Sequence, residues 1–423
     1  MPVLKALAWS AVALAGAVAL GAVAFSRGEA LSSAWFLVAA LCTYAVGYRF
    51  YSAFLAARAL QLDDARPTPA CRRADNKDFV PTNRWVVFGH HFAAIAGPGP
   101  LVGPILAAQF GYLPGVLYIL IGVVLGGAVQ DFTILVASLR RDGKSLGQMV
   151  REEIGPVGGA AALAGVLAIM VILIGVLGLV VVNAMAGSPW ATSTVVATIP
   201  IALFMGVYMV RVRPGRVLEA SLIGVALVLL AVAGGRWVDQ SALRGWFDLD
   251  KRQLALAIIG YGFVASVLPV WLLLAPRDYL SAFVKIGTVA LLAAGLLWVR
   301  PEVRLPALTR FVDGSGPVFS GKVFPFCFIT IACGAMSGFH ALISSGTTPK
   351  LLERETDARF IGYGAMLMEG IVAVVALIAA SSLGQGDYFA INAPPDKFAA
   401  LGLSMDHLPE LSQQIGEKLN GRA

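Results

Sequence analysis

Five ionisable side chains lie within long apolar stretches of this chain: His90, His91, Asp131, His340 and Glu369. A charge at the centre of a bilayer costs about 2.5–3.5 kcal/mol on insertion scales, so such a group needs a partner or a function. Burial and neighbouring charges can bring the protonation of carboxyl and imidazole groups close to neutral pH. We therefore predict a proton relay, with Asp131 and Glu369 as its foremost carriers. The structural alternative is that these two carboxylates pair with nearby arginines and that the histidines are hydrogen-bonded packing residues.

A glycine–proline run interrupts the apolar segment that contains the histidine pair. The residues Gly97-Pro98-Gly99-Pro100 lie near the middle of the segment 86–110, which is long enough to cross a bilayer. Proline removes a helix donor and glycine loosens the backbone, so we predict a broken helix. Irregular backbone at membrane depth persists only where protein or a water-filled cavity satisfies its polar groups. The break therefore indicates a binding site, which is typical of a transporter.

The two helix ends at such a break have opposite polarity. Free N–H groups at the start of the outer half carry about half a positive charge and favour a carboxylate. We predict a substrate site formed by the backbone of Gly97, Gly99 and Leu101, with His90 or His91 as a polar wall. Adjacent residues on a helix point about 100° apart, so at most one of the two histidines is expected to line the cavity. The freed carbonyls point the other way and could hold a cation.

Further polar residues are expected to complete this site. Pro269 lies near the midpoint of a later apolar segment, and we interpret it as a second interruption, with Ser266 closing the opposite side of the substrate site. A tolerated proline kink is the alternative. The hydroxyls of Ser344, Ser345 and Thr348 are candidates for contacting a coupling ion, H⁺ or Na⁺, although bonding back to their own helix is an equal alternative.

Composition places these residues in a membrane protein. The 423 residues are 58% hydrophobic and only 13% charged, with a mean hydropathy of +0.78, whereas soluble domains carry about 25% charged residues. The net charge of +7 does not indicate nucleic-acid binding, because the basic residues lie in short loops between apolar runs. HExxH, Walker and GxGxxG motifs are missing from the sequence, so we expect neither an enzyme nor a cofactor or metal site. Without a nucleotide site, transport would be secondary.

The apolar runs predict an all-α polytopic protein with about eleven transmembrane helices. The predicted spans are 4–25, 31–55, 86–110, 113–138, 158–184, 191–211, 216–234, 254–275, 279–299, 323–347 and 363–384. Basic residues concentrate in alternate connections, among which we count Arg277 and Lys285. By the positive-inside rule the N-terminus is then cytoplasmic.

The spacing of the two interruptions predicts an internal repeat. The third span runs outward and the eighth runs inward, five helices later, as in two five-helix repeats of inverted topology whose broken first helices meet at the midplane. The predicted organisation is two accessory helices (1–60), a basic cytoplasmic loop (61–85), repeat one (86–234), an incomplete repeat two (254–384) and an extracytoplasmic tail (385–423). The last helix of repeat two is missing from this count.

Four strings spread over most of the chain resemble the carbon starvation protein A family. They cover residues 88–104 (FGHHFAAIAGPGPLVGP), 127–132 (GAVQDF), 265–279 (ASVLPVWLLLAPRDY) and 333–350 (CGAMSGFHALISSGTTPK). The resemblance implies a bacterial inner-membrane transporter associated with peptide uptake and, in close relatives, proton-coupled pyruvate uptake. It also implies a LeuT-like five-plus-five inverted-repeat core. Family members typically continue beyond the position of Ala423 with further helices, so we expect this chain to be shortened.

The leading hypothesis is a secondary symporter that imports a small carboxylate-bearing nutrient, either a short peptide or pyruvate, with H⁺ or Na⁺. One alternative is an ion or solute channel. Another is an intramembrane metal-binding protein that uses His90, His91 and His340. The residues leave the choice between peptide and pyruvate, the coupling ion and the oligomeric state open.

Overall fold

The computed structural model describes residues 2–25, 31–394 and 397, and this part of the chain is an all-α polytopic membrane protein. It contains two isolated β-bridges, Ser32 with Glu302 and Thr82 with Leu352, and no strand. The main helices are α1 (Pro2–Phe25), α2 (Ala34–Val46, continued by helical and π-helical turns to Ala59), α3 (Arg84–Ile95), α4 (Gly99–Ala107), α5 (Tyr112–Leu139), α6 (Leu146–Ile154), α7 (Pro156–Met185), α8 (Pro189–Val212), α9 (Val217–Asp239), α10 (Lys251–Val267), α11 (Leu274–Val299), α12 (Val323–Ala335), α13 (Gly338–Ser344), α14 (Arg359–Ser381) and α15 (Gln385–Asn392). Shorter turns connect them at Pro69–Arg72, Ala108–Phe110, Arg244–Phe247, Arg310–Asp313 and Thr348–Lys350.

The described helices form seven segments that are long and apolar enough to cross a bilayer, with α12 and α13 counted together as Val323–Ser344, or eight if α3 and α4 also form one span. The other predicted spans also contain helices, namely α1, whose apolar part is Leu7–Val23, α2 and the 17-residue α10. The count of eleven membrane spans and the inverted repeat remain predictions.

The helices form an inner and an outer group. In α14 83% of the most apolar stretch is buried, and this helix contacts α2, α3, α4, α5, α11 and α12. In α7 the corresponding stretch has a mean hydropathy of 3.1 but is only 6% buried. A helix that is apolar on all sides and exposed in the monomer needs lipid or another apolar surface around it. The ionisable residues of interest lie on or against the inner helices.

The predicted break in the third span is confirmed. Helix α3 ends at Ile95, helix α4 begins at Gly99, and the two axes differ by 42°. Asn83 begins α3 as an N-cap, its side chain accepting a hydrogen bond from the Trp85 N–H. At the other end Ala96 leaves the helical region, as expected where the following Gly-Pro pairs cannot continue the hydrogen-bond ladder.

The predicted interruption in the middle of an eighth span is wrong. Helix α10 ends at Val267, and Leu268 is extended (φ −70°, ψ 150°). The ring of Pro269 disfavours the helical region for the residue before it, so the helix stops there instead of kinking. The residues that follow form a connection to α11, which begins at Leu274.

A second broken helix lies where the sequence predicted a continuous tenth span. Helices α12 and α13 are separated by Met336 and Ser337, both in extended conformation. The carbonyl of Ser337, at this break, accepts a hydrogen bond of 2.6 Å from the Gln130 side chain of α5, so a polar side chain contacts the irregular backbone. Gly334 and Gly338 flank this break and could have indicated it. The segment contains no proline, however, and a break was not predicted there.

The predicted tail 385–423 is described only at its start. Helix α15 occupies Gln385–Asn392 and packs Phe389 against Phe311, with ring centroids 5.2 Å apart. The rest of the predicted tail, apart from residues 393, 394 and 397, lies outside the described residues.

Candidate functional site

Three of the predicted proton carriers meet in one buried cluster. His340 of α13 hydrogen-bonds through Nδ1 to Asp131 Oδ2 of α5 at 3.1 Å. Its Nε2 lies 3.2 Å from Glu369 Oε2 of α14, an ion-pair distance without hydrogen-bond geometry. All three side chains are completely buried. The prediction that these residues act together therefore has a geometric basis, whereas pairing of both carboxylates with loop arginines, the structural alternative, is not what the structure shows.

Cys333 of α12 is a fourth member of this cluster, which the sequence analysis did not select. Its Sγ donates to Glu369 Oε1 at 3.7 Å and lies 3.9 Å from His340 Nε2. Ligand atoms of Cys333, His340 and Glu369 lie within 4.8 Å of one another, a set that could hold a metal ion. This grouping differs from the three-histidine site considered above, since His340 is accompanied by Cys333 and Glu369 and not by His90 and His91. Cys333 was not predicted as a site residue because the cysteines of the sequence show no CxxC spacing.

The cluster lies at the start of α4. A Cβ atom placed on Gly99 would be 2.5 Å from Cys333 Cβ and 2.6 Å from its Sγ, so only glycine allows this approach. Nothing lies within 4 Å of a Cβ placed on Gly97. Leu101 is 48% exposed and is the second residue after Gly99 in the first turn of α4. Of the predicted substrate-site backbone, Gly99 is thus the residue that touches the buried cluster.

The two adjacent histidines of α3 are both buried and contact different helices. His91 Nδ1 hydrogen-bonds to Thr348 Oγ1 at 2.9 Å. His90 Nδ1 lies 2.8 Å from Asp278 Oδ2 of α11, again without hydrogen-bond geometry. This separation agrees with the 100° between neighbouring helix positions. Thr348 is thereby joined to the broken helix, while Asp278 is a partner that sequence reasoning missed.

The three hydroxyls predicted to contact a coupling ion, those of Ser344, Ser345 and Thr348, lie in different environments. Ser345 Oγ donates to the Ala341 carbonyl at 2.7 Å, which is the bond back to its own helix that was the alternative interpretation. Ser344 Oγ is buried without a hydrogen-bond partner, as are Asp131 Oδ1 and His91 Nε2. Buried polar atoms are nearly always paired, so these unpaired atoms are candidates for contacting a water or a ligand.

Ser266 does not join these residues. It is exposed near the end of α10, where its hydroxyl donates to the Phe263 carbonyl of the same helix at 2.7 Å. Helix α10 packs against α7. The structure therefore places Ser266 away from the broken helix, because α10 ends before Pro269 and does not cross beside α3.

Lys285 is the main charged residue that the sequence analysis misplaced. We assigned it to a cytoplasmic connection, but it lies inside the 26-residue helix α11, and Arg277 lies in the first turn of the same helix. The ammonium of Lys285 donates to the carbonyls of Ala93 at 2.9 Å and Ala96 at 2.7 Å. Of the carbonyls between Ala96 and Gly99 that were predicted to be free for a cation, that of Ala96 is thus bonded to a lysine.

Comparison with known proteins identifies the wider relationship. The family model for carbon starvation protein CstA matches residues 32–418. The peptide transporter CstA of Escherichia coli K12 is 56% identical over 98% of this chain, and the peptide transporter CstA of Helicobacter pylori J99 is 54% identical over 98%. The pyruvate/proton symporter BtsT of Escherichia coli K12 is 54% identical over 97%. The chain spans 57–62% of the length of these relatives. No solved structure matches.

Proposed function

The chain belongs to the carbon starvation protein CstA family, and we propose that it is the core of a secondary transporter that imports a small carboxylate-bearing nutrient with a proton. Relatives named as peptide transporters and as a pyruvate/proton symporter support this substrate class. Their names also favour transport over the channel, enzyme and metal-protein alternatives. The buried cluster of Asp131, His340 and Glu369 is the observation that carries the proposal.

The charges of this cluster suit the exchange of one proton. An imidazolium between two carboxylates has a net charge of −1, and one further proton makes the group neutral. Both ion pairs of the carboxylates go to His340, and all three groups are sealed from solvent. An uncompensated charge is expensive at membrane depth. Binding one proton from outside and releasing it inside would therefore alternate the cluster between two states of different stability, which is what coupling requires.

The substrate carboxylate is proposed to bind at the N-terminal end of α4. Gly99 offers a backbone N–H at this end, whereas Pro100 has none and the Leu101 N–H donates to the Pro98 carbonyl at 3.1 Å. The helix dipole also places partial positive charge there. Gly99 brings this end against Cys333 and so against Glu369. A carboxylate held near Gly97, Gly99 and Leu101 would change the electrostatic field at Glu369, which links substrate to proton. Peptides and pyruvate share this carboxylate, so the site accommodates either.

The surrounding residues receive positioning roles in this proposal. His91 and Thr348 join α3 to the turn after α13, and Ser344 adds an unpaired hydroxyl close to His340 in sequence. Two broken helices, α3–α4 and α12–α13, meet at the cluster through Gly99 and Cys333. The second break lies in α12–α13 and not in α10, so the five-helix spacing of the two interruptions does not support an inverted repeat. We propose a five-plus-five inverted-repeat architecture on the family resemblance alone, in a bacterial inner membrane with the N-terminus cytoplasmic.

The test is uptake of labelled pyruvate or dipeptide into proteoliposomes, with an inward proton gradient imposed and then collapsed. It uses this chain and a version extended to the length of its relatives. We expect accumulation that disappears with the gradient. Asp131→Asn and Glu369→Gln should abolish accumulation but retain exchange of labelled for unlabelled substrate, because a carboxamide cannot release a proton while the binding site stays intact.

Glu302→Gln is the matched control, since it makes the same chemical change at an exposed carboxylate. It should accumulate substrate like the wild type. Accumulation by Glu369→Gln at the wild-type level would refute the role of the cluster, and passive, non-saturable flux in the wild type would favour a channel.

A further inference from the structure

The break in the α3–α4 pair is occupied on its carbonyl side by a basic side chain. Lys285 Nζ contacts two backbone oxygens, of Ala93 at 2.9 Å and of Ala96 at 2.7 Å. Ala93 belongs to the last turn of α3, and Ala96 directly follows the helix. The final carbonyls of a helix have no intrahelical partner and carry the negative end of its dipole. The ammonium therefore completes the hydrogen bonding of this helix end and neutralises its partial charge.

These carbonyls are also the type of ligand that a small inorganic cation takes. In transporters with discontinuous helices, unwound backbone carbonyls and half-helix C-terminal ends coordinate the coupling ion. Lys285 brings a single positive charge to the same position on a side chain fixed to α11. The lengths of 2.7 and 2.9 Å are those of charge-assisted hydrogen bonds, so the ammonium is firmly bonded.

The charged groups around Lys285 come from three helices. Arg277 and Asp278 lie two turns earlier on α11, and Glu369 faces it from α14 with a favourable electrostatic interaction. Asp278 is itself paired with His90 of α3. A cavity of about 460 Å³ reaches Lys285 and is bounded by Ala93, Thr194 and Thr198 besides the charged residues of α11. Lys285 thus lies at the wall of this cavity, beside Arg277 and Asp278.

We propose that Lys285 is a tethered cation that fills the cation position at the broken helix, so that the protein binds no sodium there. The absence of sodium at this position does not depend on the proposed transport function. Only its consequence rests on that function, namely that H⁺ at the cluster of Asp131, His340 and Glu369 is the sole coupling ion. The chemistry of the site itself, carbonyl oxygens around one positive charge, stands without it.

The test uses the purified chain in detergent and measures its apparent Tm by tryptophan fluorescence, with no transport step. The wild type should melt at the same temperature in sodium chloride and in choline chloride. Lys285→Ala should lower the apparent Tm by about 5 °C or more, since two carbonyls at a helix end lose their partner. Added Na⁺ or ethylammonium should restore at least about half of that loss, whereas choline, whose bulky quaternary ammonium has no N–H, should restore nothing.

Lys251→Ala, which removes an exposed lysine in the first turn of α10, is the control and should show no cation-dependent change. If Lys285→Ala does not fold, the wild type still decides: a sodium-dependent rise of its Tm, or saturable binding of ²²Na⁺ to it, would overturn the proposal. Equal stability of Lys285→Ala and wild type in every salt would also overturn it. A failure of pyruvate and peptide uptake would contradict the proposed transport function and leave these measurements unaffected.

Discussion

Replacing Gly99 with alanine tests the close approach on which the site depends. The new Cβ would lie 2.5 Å from Cys333 Cβ and 2.6 Å from Cys333 Sγ. Ordinary carbon–carbon contacts are about 3.5–4.0 Å, so α4 and α12 must move apart by roughly 1 Å. Because Cys333 also contacts His340 and Glu369, this movement displaces the buried cluster as well.

The cost follows from the packing. Forcing an extra methyl group into a well-packed interior costs about 1–3 kcal/mol. In domains of 150–250 residues each kcal/mol lowers the Tm by about 2–4 °C, and larger chains shift less. We therefore expect Gly99→Ala to lower the apparent Tm by a few degrees. Proton-driven uptake should fall more steeply than stability, since a 1 Å displacement at a functional site is enough to reduce its rate by about a hundredfold.

Gly97→Ala is the matched control two residues away. Its added Cβ would meet nothing within 4 Å, so the apparent Tm should change by less than about 1 °C. Both variants are compared with the wild type by thermal melting in detergent. Uptake in proteoliposomes is compared between Gly99→Ala and the wild type only, because Gly97 belongs to the proposed substrate site.

The double variant Gly99→Ala with Cys333→Gly adds a rescue, because it removes the Cβ that the new methyl group strikes. Part of the lost stability should return, although glycine inside α12 costs about 1 kcal/mol. The packing argument is refuted if Gly99→Ala and Gly97→Ala melt alike, or if the double variant is less stable by the sum of the single effects.

Two further predictions concern the polar connections outside the membrane-spanning helices. Glu355 has a side chain only 3% exposed and pairs with Arg66 at 3.3 Å and Arg140 at 2.7 Å. Glu355→Ala should destabilise the protein by about 1.5–3 kcal/mol, towards the lower value because both guanidinium groups reach water. The measurement is a fall in apparent Tm, which Glu302→Gln should not show. Backbone N–H groups of Lys77, Phe79 and Asp78 hold the pKa of Asp75 below its usual 3.8. A lowered pKa means that the carboxylate stabilises this loop above pH 4 and that the stabilisation is lost as the pH falls through the folded value. The protection of these three amides against hydrogen exchange, measured relative to their intrinsic rates, should therefore fall on acidification. In Asp75→Asn the protection should lack this pH dependence, and equal profiles of the two proteins would contradict the assignment.

The broken third span could be predicted because its cause is local. Gly97-Pro98-Gly99-Pro100 removes donors and constrains its neighbours within four residues. The choice of Asp131, His340 and Glu369 was also possible, because each is an ionisable residue within an apolar run. By contrast, Pro269 was assigned to the middle of a span, since hydropathy extends across it and only the backbone at Leu268 shows that α10 has ended.

The sequence by itself determined that this chain is a helical membrane protein with a broken helix and buried ionisable groups, because composition and proline–glycine chemistry act over a few residues. Only the tertiary structure decided which of those groups meet. His340 and Asp131 are 209 residues apart, His91 and Thr348 are 257 apart, and Lys285 reaches Ala93 across 192 residues. Such contacts depend on how helices rotate and pack against one another, and the period of a single helix carries no information about its neighbour's register. For the same reason Cys333, which resembles any small apolar residue in the sequence, became part of the site only when α12 packed on Gly99.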